Sequence, residues 1–108
     1  MKIIQEEIDF RPPQRIKFDV VFEKETDFHK ANLVWAEGGD RAIATASGPF
    51  HFAADGRVQS FYFVTAYRVN LENKIINQFR YGGQTSTEEE ALKLFENVIE
   101  EMKRDFER

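Results

Sequence analysis

Apolar residues recur at spacings of three and four near the end of the chain. Leu92, Phe95, Ile99, Met102 and Phe106 form a stripe that Ala91, Leu94 and Val98 widen. The opposite positions carry Lys93, Glu96, Asn97, Glu100, Lys103, Arg104 and Glu107. The pattern predicts one amphipathic helix over Ser86–Arg108, about 22 residues and roughly 33 Å long. Ser86 is the expected N-cap, and Glu89, three residues on, completes a capping box. Glu88, Glu89 and Glu90 place negative charge at the positive end of the helix dipole.

Ahead of this helix the period shortens to two. Residues 2 to 10 alternate loosely, with Ile4, Ile8 and Phe10 on one side. Pro12 and Pro13 then end any ladder, so this is a short edge strand or an ordered arm. Arg15 to Glu23 alternates cleanly through Ile16, Phe18, Val20 and Phe22 and predicts a half-buried strand. Thr26 to Glu37 fits two patterns. As a helix it would be capped by Asp27 and ended by Gly38. As a strand from about Asn32 it would turn at Gly38-Gly39, setting Trp35 across from Ala42 and Leu33 across from Ala44. The strand reading is favoured. Arg41 to Ala46 is a further strand, which Ser47-Gly48-Pro49 should break.

Phe50 to Ala53 and Arg57 to Val69 read as a hairpin around Asp55-Gly56, a type I′ turn signal. Its second arm is apolar on both faces and belongs at the centre of a sheet. Lys74 to Tyr81 is the last strand, and Gly82-Gly83 frees the backbone to enter the helix. The expected architecture is α+β: an antiparallel meander of five to six strands, covered on one face by a long C-terminal helix.

The 108 residues suit one domain, with strands in 1–85 and the helix in 86–108. The absence of cysteine excludes a disulfide framework or a thiolate metal site and suits a reducing compartment. The first residues carry acids where a secretion signal needs an apolar run, and no stretch approaches a membrane span, so a cytoplasmic protein is expected. The net charge of −4 lies in the helix segment, which holds eight acidic and four basic residues against eleven of each before it. Eleven phenylalanines are more than a core this small readily hides.

Pairing Val69 with Lys74 puts Tyr62, Val64, Ala66, Ile75 and Phe79 on one face, suited to receive the helix. The other face then carries Phe61, Phe63, Thr65 and Tyr67 with Lys74, Ile76, Gln78 and Arg80. The Asp55-Gly56 hairpin adds Phe50 and Phe52. This aromatic row admits three readings. The first is a second core, closed by the Arg15–Glu23 strand or by curvature. The second is a surface for another protein or a second copy, since large apolar patches mark interfaces. Rings flanked by Lys74 and Arg80 also suit stacked single-stranded nucleic acid, although the chain as a whole is acidic.

Catalytic and metal chemistry find little support. His29 reads as a solvent-exposed loop residue. His51 can face Ser60 across the hairpin with Asp55 in the turn, but no oxyanion-hole loop accompanies this grouping. Consecutive helix glutamates diverge and cannot chelate together, and Gly82-Gly83 lacks the lysine of a phosphate loop. The expectation is therefore a small binding module without catalysis, cofactor or metal. It is expected to self-associate as a dimer or meet another protein through Phe50, Phe52, Phe61, Phe63, Tyr67, Lys74 and Arg80. Nucleic acid on the same face is the first alternative. A small-ligand carrier or enzyme with a pocket between helix and sheet is the second.

Overall fold

The computed structural model describes residues 2–10, 20–22, 28–36, 41–70 and 75–107. It shows one antiparallel sheet with a long helix packed on one face. The strands are β1 (Ile3–Glu7), β2 (Val20–Phe22), β3 (Phe28–Ala36), β4 (Arg41–Ala54), β5 (Arg57–Asn70) and β6 (Ile75–Thr85), followed by α1 (Glu88–Glu107). The sheet runs in the order β1-β3-β4-β5-β6, and β2 pairs with β4 off this path. The meander therefore occupies β3 to β6, with β1 returning as an edge strand. No helix of the described residues is long and apolar enough to cross a membrane.

The helix takes the face that the alternation of β5 assigns to it. Ala42, Ala44 and Ala46 from β4 and Val64 and Ala66 from β5 are buried against Ala91, Phe95, Val98, Ile99 and Met102. Small side chains on the sheet meet large ones on the helix, so the two layers approach closely. Gly82 marks one point of close approach. A Cβ there would stand 2.9 Å from Val98 Cγ2 and 3.0 Å from Val64 Cγ1, inside the 3.5–4.0 Å of an ordinary carbon contact.

The helix begins one residue later than the sequence suggests. Thr87, not Ser86, is the cap. Its Oγ1 accepts the Glu90 backbone N–H at 3.2 Å and donates to Glu90 Oε1 at 3.0 Å. Its carbonyl accepts the first helical hydrogen bond, from the Ala91 N–H at 3.1 Å. Hydroxyl and carboxylate thus pair three residues apart as expected, but shifted by one.

Four other expectations are corrected. β3 is a strand, but it starts at Phe28 rather than near Asn32. Trp35 pairs with Arg41 and Leu33 with Ile43, so Val34 and Asn32 take the places opposite Ala42 and Ala44. A slip of one residue exchanges the two faces, and here it puts Val34 in the core. The Arg41 guanidinium lies 5.7 Å from the centre of the Trp35 ring instead. Ser47-Gly48-Pro49 does not end the strand, because β4 runs through it with a register shift between Ser47 and Phe50 and a cis Gly48–Pro49 bond. β6 likewise runs through Gly82-Gly83 to Thr85, and Gly82 serves close packing rather than helix entry.

The Asp55-Gly56 turn is present. Asp55 and Gly56 have φ of 51° and 74°, the left-handed pair a type I′ turn requires, and Ala54 pairs with Arg57 across it. Of the expected Arg15–Glu23 strand, Val20–Phe22 forms β2. Its remaining residues, the Gly38-Gly39 turn and Lys74 lie outside the described residues.

Candidate functional site

Two arms of 14 residues make β4–β5 the longest unit of the sheet, about 46 Å if fully extended. The 20-residue helix reaches only about 30 Å. The molecule accordingly measures 51 × 29 × 20 Å. The helix-facing core includes Ala42, Ala44, Ala46, Val64 and Ala66, with Tyr62 at its margin. Beyond Tyr62 the hairpin continues outward, and residues 55–60 are all exposed.

The face turned away from the helix carries the aromatic row. Phe50 pairs with Phe61 and Phe52 with Gln59, while Ser47 pairs with Phe63 and Ile43 with Tyr67. Strand pairing therefore places Phe50, Phe52, Phe61, Phe63 and Tyr67 on one side of the sheet, as the alternation indicates. The Phe50 and Phe63 rings lie 5.3 Å apart at a tilt of 51°. Phe50, Phe61, Phe63 and Tyr67 are each half-buried.

Arg80 does not hold the register position that pairing Val69 with Lys74 would give it. A single register from Val69 is not kept: Val69 pairs with Ile76, and two shifts follow, between Ala66 and Tyr67 and between Val64 and Thr65. Phe79 and Gly82 fall out of the ladder, and Arg80 takes the place opposite Ala66, a helix-side residue.

Toward the base of the hairpin the same face is closed over. Ala31, Ile43, Thr45 and Ser47 are buried there, Thr45 and Ser47 at 4% and 6% exposure. The Thr45 and Thr65 hydroxyls satisfy each other at 2.9 Å. The chain's own N-terminal segment contributes to this cover. The Ile8 N–H donates to the Ala31 carbonyl at 3.0 Å, extending the β1–β3 ladder. Two residues later, the Phe10 ring stands edge-on to Tyr67, with centroids 5.9 Å apart. The Phe10 carbonyl lies 2.6 Å from His29 Nε2. A carbonyl can only accept, so that ring nitrogen carries the proton. His29 is thus a half-buried strand residue rather than an exposed loop residue. Nothing local in the sequence signals its partner, which lies 19 residues away.

The one histidine–serine pairing foreseen is real. His51 Nδ1 and Ser60 Oγ share a hydrogen bond at 2.6 Å, on the exposed part of the hairpin. Nucleophilic power would need burial and oriented backbone donors at such a pair, whereas this hydrogen bond is exposed. Among the described residues no group of three metal-ligating side chains occurs. The layer between helix and sheet is filled by Val34, Val64, Phe95, Ile99 and Met102.

No protein family matches the chain, and neither the curated proteins nor the solved structures provide a match.

Proposed function

We propose that the chain is a non-enzymatic interaction module that self-associates through the outer part of its aromatic sheet face. One observation carries this reading: Phe50, Phe61 and Phe63 sit half-exposed on a hairpin that extends beyond the helix. Burying large rings contributes about 1.5–3 kcal/mol each. A second copy offers the same rings, and a symmetric dimer needs only one self-complementary patch. Such a contact should bury more than about 1,000 Å² in total. Phe52 and Tyr67 belong to the same row. A chain without cysteine suits the cytoplasm, where thiols and disulfides play no part in its assembly.

Sedimentation of wild type and Phe63→Asp over a hundredfold concentration range tests the reading. Wild type should gain mass with concentration, and the variant should remain a folded monomer. A wild type monomeric throughout refutes it. If that monomer binds labelled single strands at micromolar concentration, with affinity falling as salt rises, the face serves nucleic acid instead.

A further inference from the structure

We draw no further inference here: the strongest candidate, the helix-side surface of the outer β4–β5 hairpin, where exposed Val58 stands near the His51–Ser60 pair, has nothing in the structure to show what covers it.

Discussion

Replacing Gly82 with alanine probes how tightly the two layers are pressed together. The added methyl would lie 2.9 Å from Val98 Cγ2, 3.0 Å from Val64 Cγ1 and 3.1 Å from the Val64 carbonyl oxygen. Two carbon contacts thus fall about 0.5 Å or more short of their optimum. Neither valine can yield easily. Both are buried, and a β-branched side chain has few χ1 alternatives. The relief left is to lift the helix, which loosens Phe95, Ile99 and Met102 on the alanines beneath them. Overpacking of this kind costs about 1–3 kcal/mol. The reduced freedom of the unfolded chain returns about 0.4–1 kcal/mol. A net loss of about 1–2 kcal/mol should appear as a lower urea midpoint at unchanged slope, followed by circular dichroism at 222 nm. Val98→Ala removes one of the obstructing groups. The double variant Gly82→Ala/Val98→Ala should therefore be more stable than the two single losses predict, by about 0.5 kcal/mol or more. A Gly82→Ala chain as stable as wild type, or a strictly additive double variant, would refute close approach at this point.

Two further outcomes test the turn and the cap. Gly56 has open space around its Cα, so Gly56→Val meets no clash and should lose stability only through its φ of 74°. The loss is about 1–2 kcal/mol, against little change for the exposed Gln59→Val, and equal melting temperatures would contradict the type I′ assignment. Thr87→Ala should cost about 1 kcal/mol, or about 4–8 °C in melting temperature. Ser86→Ala should cost much less, and the reverse order would return the cap to Ser86.

The features legible in the sequence are those fixed by local pattern. The helix stripe from Ala91 to Phe106 can face only one way, and Asp55-Gly56 sets its hairpin by backbone chemistry alone. That hairpin in turn places Phe50 and Phe52 beside Phe61 and Phe63. Reading failed where a local signal had two equivalent frames or where packing overrode it. Ser86 with Glu89 and Thr87 with Glu90 are the same capping pattern one residue apart. Gly48 reads as a breaker, yet it lies in a strand because the Tyr62 ring occupies the room of its missing side chain, 2.5 Å from where a Cβ would stand. Gly82 reads as a hinge, yet it is the place where Val64 and Val98 meet. Each irregularity in β5–β6 moves the pairing by one residue, so Arg80 could not be placed by counting from a Val69–Lys74 pair. The grip of His29 on Phe10 depends on the fold bringing two distant segments together.

The length of the β4–β5 hairpin also bears on how the chain finds its fold. Its pairs grow outward from a two-residue turn, so each contact closes only a slightly longer loop than the one before. Pairing of β1 with β3 spans about 30 residues, and docking of α1 must wait for a sheet surface to dock on. Local closure is fast and distant closure slow. The turn at Asp55-Gly56 is therefore placed to act early, and its variants should alter the folding arm of a chevron plot. Contacts at Gly82 and Val98 join only when the helix settles, and their variants should alter the unfolding arm. One hairpin thus divides the chain between residues that set how quickly the structure forms and residues that set how long it lasts.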